Sequence, residues 1–421
     1  MSYLFNDLVG FRADSVDAFS RLRVSQPFTL FDSQHRYQEN DKWSTLTATG
    51  GTHHHMPNES SIHMRIGLTA GSLVYRETKR VFPYQPGKSL LNLNTFVMNT
   101  PHQNLRQRVG YFGEKNGVYF EQDGLTAYMV IRSNVTGTVD STTRRIQQTN
   151  WNGDTFDGNG ASGRVLSVTG ANIFWTDVEW LGVGDIRTGF FVDGRPVIAH
   201  TFHNDNINPT TYMATAVLPI RYEIESIGTG ITGTVGGQGI TGATMKQICS
   251  SVMSEAGYEG FSRRSNVSTD GIPRTSISTT NLIPLVSIRL NQNRLDSVVV
   301  PSNISALITS SNNAAGTRTV EYRILQNASI SGASWQTHPI GNVDYDLSAT
   351  SLTGGTDIIG GFFDSTGSLI ISTINDFNFQ LGRTQTSITG STGTSDVLTV
   401  AMRAFQSNTD ISVDLSWFDI I

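Results

Sequence analysis

Short runs that alternate apolar and polar side chains, each closed by Gly, Asn or Asp, recur along almost all of this 421-residue chain. "GVYFEQDG", "TAYMVIRSN", "RVLSV", "SLIISTI" and "DVLTVAMRAF" are examples. Successive strand side chains point to opposite faces, so a period of two specifies strands with one face buried. The helical period is scarce, and its best candidate, "ATMKQICSSVMSEAGY", carries Ser and β-branched residues that fit a strand equally well. The expected fold class is all-β. Composition agrees: charged residues make up 15% against an ordinary ~25%, and 41 glycines with abundant Ser, Thr and Asn fill the difference.

A chain this long exceeds what a single hydrophobic core ordinarily serves, which predicts two domains. Residues 1–45 hold few turn signals and several aromatics, among them Phe19, Phe28, Phe31 and Tyr37. They read as an extended N-terminal arm lying across its own domain or a neighbouring subunit. Residues 46–258 read as a first β-sandwich, in which the Gly- and Thr-rich stretch 228–242 is a flexible loop. A polar stretch then leads into residues 259–421, about the size of one further sandwich.

A net charge of −5 and a pI near 6.0 supply no broad pull toward nucleic acid or an anionic membrane. The single cysteine, Cys249, excludes an intrachain disulfide and a cysteine-based zinc site, and reads as a small buried apolar residue. "MSYLFNDLVGFRADSVDAF" lacks the basic start and apolar core of a signal peptide, and no stretch approaches ~18 consecutive apolar residues. A soluble chain made in the cytoplasm is the expectation.

The segment Phe174–Phe202 raises the question of chemistry, because Asp177 and Glu179 sit two apart and share a sheet face. With Gly182-Val183-Gly184 as a hairpin loop, Leu181 pairs with Asp185, Glu179 with Arg187 and Asp177 with Gly189. Phe174, Thr176, Val178 and Trp180 then join Ile186, Thr188, Phe190 and Val192 on the core face. Asp193-Gly194 reads as a tight turn that brings His200 back to the face of Arg187. Glu179 and Arg187 become a structural ion pair, and such a cross-strand pair contributes about 0.2–1 kcal/mol. The sharper alternative is glycoside hydrolysis, which needs two carboxylates, one protonated and one ionised. Laminarinase-like glycosidases resemble this layout but carry a further strand carboxylate at i+4 or i+5, where this chain has Leu181 and Gly182. Catalytic residues are therefore not expected here.

Other clusters yield to plainer readings. Among His53, His54, His55 and His63, adjacent strand residues face opposite ways, so only His53 and His55 could share an ion, and a solvated loop is preferred. His200, His203 and Asp205 are read the same way. "YQPGKS", Tyr84–Ser89, ends like a phosphate-binding loop, yet Phe82 stands where that pattern needs glycine and no helix follows. "NGDTFDGNG", residues 152–160, lacks the ligand spacing and closing glutamate of a calcium loop and reads as a turn. "RRIQQTNW" and "KRVF" are too isolated to bind nucleic acid.

Three passages in order, "DAFSRLRVSQPFTLFDSQ" (Asp17–Gln34), "YQPGKS" and "VEWLGVGDIRTGFFVDG" (Val178–Gly194), resemble segments of uncharacterised virion structural proteins of tailed, often aquatic, bacteriophages. "SATSLTGGTDIIGGFF" and "ISVDLSWFDII" fit as well, and the central hairpin is similar to strands of concanavalin A-like sandwiches. The resemblance implies a virion component built from two serial jelly-roll or concanavalin A-like sandwiches, with no catalytic residue, cofactor or metal to carry over. The expected protein is a non-enzymatic accessory part of the particle: a capsid decoration or head fibre, or a tail, baseplate or fibre part. Its expected partners are other virion proteins and two further copies of itself in a homotrimer. The alternative is a carbohydrate-binding module for a host surface glycan, with Trp151, Trp175 and Asp177 as contacts. A glycoside hydrolase is the third possibility.

Overall fold

The alternating runs become strands, as their period requires. In this computed structural model the described residues are Val16, 26–67, 69–229, 233–235, 238–240, 242–255, 263–269, 274, 277, 279–310, 317–372, 380–384 and 393–420. The only helical elements among them are two three-residue 3-10 turns, Pro57–Glu59 and Gln148–Asn150. The chain divides into two units, Met1–Tyr258 and Glu259–Ile421.

The first unit is a sandwich of two antiparallel sheets. One is eight-stranded and runs Arg195–Phe202 (β13), Ile186–Val192 (β12), Asn172–Val178 (β11), Leu90–Val97 (β6), Ala243–Glu255 (β15), Ser61–Ile66 (β4), Thr52–Met56 (β3), with Pro27–Ser33 (β1) also on β15. The other is seven-stranded and runs Arg145–Gln147 (β10), Thr126–Arg132 (β9), Gly117–Asp123 (β8), Leu105–Phe112 (β7), Ile220–Ser226 (β14), Leu73–Thr78 (β5), Trp43–Ala48 (β2). The ambiguous helical candidate is thus a strand, β15. Its first half pairs with β4 and its second with β1, while β6 runs along its other side past a bulge between Gln247 and Ser250.

Part of the expected N-terminal arm is therefore sheet. Leu30 and Phe31 on β1 are buried in the core, and so is Trp43. Residues 1–25 apart from Val16 lie outside the described residues. Within 228–242, expected to be a loop, Gly233–Val235 and Gln238–Ile240 form a short two-stranded ladder. Between the sheets Phe120 is central: its ring centroid lies 5.1 Å from Phe190, 6.0 Å from Phe174 and 6.1 Å from Phe96.

The outer face of the seven-stranded sheet is charged yet buried. Arg108 bonds to Glu121 at 2.6 Å and also to Glu223. Arg221 holds Glu223 at 2.7 Å and Glu77 at 3.4 Å, and Arg145 bridges Glu121 and Asp123 at 2.7 and 2.6 Å. Guanidinium carbons of Arg221 and Arg145 stack 3.7 and 3.5 Å from the ring centroids of Tyr75 and Tyr128. Arg108, Glu121, Glu223, Arg221 and Glu77 are each no more than 7% exposed. Burial pushes the Glu121 carboxyl up, but Arg108 and Arg145 outweigh it and hold it below the ordinary glutamate value. Arg221, Arg108 and Arg132 do the same for Glu223.

The second unit packs a four-stranded sheet, Arg263–Ser268 (β16), Thr409–Ile420 (β25), Val298–Ser310 (β18), Leu369–Ser372 (β23), and a six-stranded one. The latter runs Gln336–Thr337 (β20), Val343–Asp346 (β21), Ile283–Leu290 (β17), Val397–Ala404 (β24), Thr319–Gln326 (β19), Thr356–Asp364 (β22). Trp417, Leu415, Ile288, Val299 and Val400 lie in its core.

Acid should destabilise the fold in two stages. Burial lowers His35, with help from Arg76, and His200, each from 6.5 to about 4, so the unfolded chain takes up protons first. Stability should fall by up to about 1.4 kcal/mol per pH unit per histidine as pH drops from roughly 6.5 toward 4. Glu121 and Glu223, depressed in the fold, add to the loss once pH passes below the unfolded glutamate value near ~4.3. Urea unfolding followed by tryptophan fluorescence across this range checks it; a flat profile contradicts the neutral buried histidines.

Candidate functional site

The hairpin that carries Asp177 and Glu179 forms with a different register from the expected one. Val178 pairs with Ile186, Asp177 with Arg187 and Trp175 with Gly189. The shift is by two residues, so every side chain keeps its face, and Phe174, Val178, Ile186 and Phe190 still enter the core. The cause is the loop. Leu181 and Gly182 both take positive φ, 34° and 83°, and Gly184 donates its N–H to Trp180 O at 2.8 Å. A Cβ at Gly184 would stand 2.0 Å from Glu179 O, so this tight winding requires glycine there.

That winding removes Glu179 from the strand. Its N–H donates to Asp185 O at 3.1 Å, and its buried carboxylate accepts the Tyr84 hydroxyl at 3.3 Å, beside the edge-on Tyr84–Trp180 ring pair. Burial and the Glu179 charge together raise the Tyr84 hydroxyl above its usual pKa. The expected Glu179–Arg187 pair is thus replaced: Arg187 bonds to Asp177 and donates a second bond, 2.7 Å, to the Val16 carbonyl. Asp177 and Arg187 are 1% and 7% exposed.

The other expected sugar contacts are buried too. Trp175 is 2% exposed, and Trp151, 4% exposed, donates Nε1–H to Ile146 O at 3.1 Å with its ring 6.4 Å from Phe190. Neither ring face is available for a sugar to stack on. Asp193-Gly194 is the two-residue turn expected, Val192 pairing with Arg195. His200, however, falls opposite Thr188, not on the Arg187 row, because of a bulge between Thr188 and Gly189. Its Nδ1 accepts the Asn152 N–H at 3.3 Å.

The remaining clusters resolve into separate local contacts. His53–His55 form strand β3 rather than a solvated loop; His53 lies 3.4 Å from Glu39, His55 Nε2 is 2.6 Å from His35 O, and His63 is 2.9 Å from Glu59. His203 lies 2.9 Å from Asp185. No group of three or more His, Cys, Asp or Glu placed to hold a metal occurs among the described residues. After Gln85–Lys88, a turn closed at 3.1 Å, the chain enters β6. Asp154 accepts the N–H groups of Phe156 and Ser162 at 2.8 and 2.6 Å, which occupies its carboxylate within the 152–160 turn.

A concave polar surface lies elsewhere, on the outer face of the second unit's four-stranded sheet. Two depressions of about 340 and 310 Å³ follow its strands. Arg264, Asn266, Asn303 and Ser416 line the first; Ser268, Ser305, Ser412 and Asp414, with exposed Leu307 and Ile370, line the second. Asn266 donates to Asp414 at 2.7 Å, Ser416 donates to the same carboxylate at 3.0 Å, and the Arg264 guanidinium lies 4.8 Å from the Phe418 ring centroid. Its signal in the sequence is plain: in "ISVDLSWF" Ser412, Asp414, Ser416 and Phe418 alternate with core residues.

No family model and no curated protein matches this chain. Among solved structures, it is similar to the CBM2 module of the evolved Dit of Lactobacillus casei BL23 phage J-1, with 7% identity over 56% of this chain and 99% of that one and a TM-score of 0.36. A putative β-glucanase from Mycobacterium abscessus is 10% identical over 53% and 100% of the two chains, TM-score 0.35. The GalNAc-bound lectin of Bauhinia forficata is 12% identical over 54% and 98%, TM-score 0.31.

Removing the Asp177 charge leaves Arg187 buried without its counter-ion, which should cost about 3–5 kcal/mol in Asp177→Asn. Glu179→Gln should cost clearly less, because it keeps an acceptor for Tyr84. Chemical denaturation of both variants checks the order, and the reverse order would restore the Glu179–Arg187 register. Trp151→Ala should lose about 3–5 kcal/mol as a core truncation; an unchanged midpoint would mean the ring is not buried.

Proposed function

We propose that this chain is a non-enzymatic structural component of a bacteriophage virion, exposed on the particle as a capsid decoration, head fibre, or part of the tail, baseplate or fibre. The observation that carries this reading is the Asp177–Arg187–Val16 tie. Arg187 belongs to Val178–Gly194 and Val16 immediately precedes Asp17–Gln34, two of the passages that resemble virion proteins. The acid best placed for chemistry neutralises the cation that holds the Val16 carbonyl. That carboxylate is 1% exposed and bonded to Arg187, which leaves it closed to a sugar substrate and speaks against its use in glycoside hydrolysis. The partners of this reading are other virion proteins and further copies of the chain, for which the sequence expectation is three-fold.

A second role is compatible with the first: binding a host surface glycan. The outer groove of the second unit supports it, since amide, hydroxyl and guanidinium groups stand in a row beside the Phe418 ring, the mixture of polar anchors and apolar surface that holds a sugar.

Mass spectrometry of purified particles should find the chain in copies that are a multiple of its oligomer; its absence from particles overturns the structural reading. A glycan array should retain wild type and lose Asn266→Ala and Arg264→Ala. If no glycan retains wild type, the sugar-binding role falls and the structural one stands.

A further inference from the structure

Asparagine is followed by glycine at three places in the chain, Asn116-Gly117, Asn152-Gly153 and Asn159-Gly160, all among the described residues. In such a pair the glycine's own backbone nitrogen can attack the asparagine side chain at Cγ, because no Cβ hinders the approach. The attack needs a side chain free to turn and a nitrogen free of hydrogen bonds. Folding denies one or both to two of the pairs. Asn116 is 5% exposed, and its Oδ1 accepts the N–H groups of Asn134 and Ala214 at 3.1 and 3.0 Å. Asn152 is exposed but clamped to β13: Nδ2 donates to Thr201 O at 2.9 Å, and Oδ1 accepts the Thr201 N–H at 2.8 Å. Gly153 also donates its N–H to Ala199 O at 3.0 Å. Asn159 has no such clamp. It is exposed, its backbone N–H donates to Asp157 Oδ1 at 2.9 Å, and the Gly160 N–H makes no hydrogen bond to a described residue. Gly160 itself is fixed by the fold. The Asp154 carboxylate, which closes the loop by accepting the Phe156 and Ser162 N–H groups, would stand 2.1 Å from a Cβ at that position.

We propose that Asn159-Gly160 is a self-modification site, at which the folded chain converts asparagine to aspartate and isoaspartate. The Gly160 nitrogen gives its proton to a solvent base and bonds to Asn159 Cγ. The Cγ–Nδ2 bond breaks, and Nδ2 takes up a proton and leaves as ammonia. Water then opens the cyclic imide at either of its carbonyls, which yields the two acids. Nothing is oxidised or reduced, and water is the only co-reactant. Each event adds one negative charge to a chain whose formal charge is −5. The new carboxylate joins a loop that already holds Asp154 and Asp157. Asp157 is kept below the usual aspartate range by donors of which the Asn159 N–H is the first, so it stays ionised beside the new charge. Isoaspartate also inserts a methylene into the backbone of the loop that Asp154 closes. The conversion needs only the folded chain and water, whether or not the chain is mounted on a particle.

The purified full chain, kept folded at mildly alkaline pH where the nitrogen loses its proton more readily, should gain about 1 Da at Asn159 as NH2 gives way to OH. The tryptic peptide Ile146–Arg164 carries both Asn152 and Asn159, so its fragmentation in the mass spectrometer assigns the site. Conversion at Asn159 should run at least about tenfold faster than at Asn116 and Asn152, where attack requires local opening. In guanidinium chloride all three should convert at comparable rates, which separates protection by the fold from differences of sequence. Asn159→Gln, whose attack would need a larger ring, should keep its amide and release less ammonia than wild type. Asn159 intact in the folded chain while the unfolded chain converts, or Asn116 or Asn152 converting as fast as Asn159 in the folded chain, overturns the proposal.

Discussion

Arg108 reaches two carboxylates at once, Glu121 and Glu223, on a sheet face from which water is excluded. A charge taken out of water is tolerated only when paired, and removing one partner is strongly unfavourable. The surrounding strands are therefore bound to one arrangement. β7, β8 and β14 must lie side by side for Arg108 to find both acids, and Arg221 and Arg145 extend the same demand to β5 and β10. In a chain so poor in charge, a notable part of what it has is placed where it specifies neighbours. With the outer face settled in this way, the opposite residues of the same strands, such as Val109, Phe120 and Tyr222, are delivered to the core.

The Asp177–Arg187 pair applies the same rule on the other sheet, with a consequence for function. The guanidinium has donors to spare after binding Asp177, and one goes to the Val16 carbonyl, 171 residues away in the chain. The acidic strand residue Asp177 is thereby bonded to Arg187 and buried. Glu179, displaced by the winding of its loop, is committed to Tyr84.

The second unit treats its surfaces differently. Its core face is aliphatic around Trp417, while the outer side of β25 carries a polar row of Ser412, Asp414 and Ser416. Its six-stranded sheet ends on β22, an apolar run between Asp357 and Asp364. One sandwich thus carries a row of polar side chains on the outer face of one sheet and an apolar edge strand on the other.

The period-two alternation determined the all-β class and the face on which each hairpin residue falls, because both depend only on residues two apart. The Asp193-Gly194 turn was legible for the same reason: its backbone demand is local. The sequence alone did not reveal who stands opposite whom. A loop wound two residues longer preserved every face and still moved Arg187 from Glu179 to Asp177, since parity survives a shift of two while partnership does not. Nor could it show that Trp151 and Trp175 are covered, that Pro27–Ser33 joins β15, or that Val16 caps Arg187. Those contacts join residues far apart in the chain, and only the packing of whole sheets brings them together.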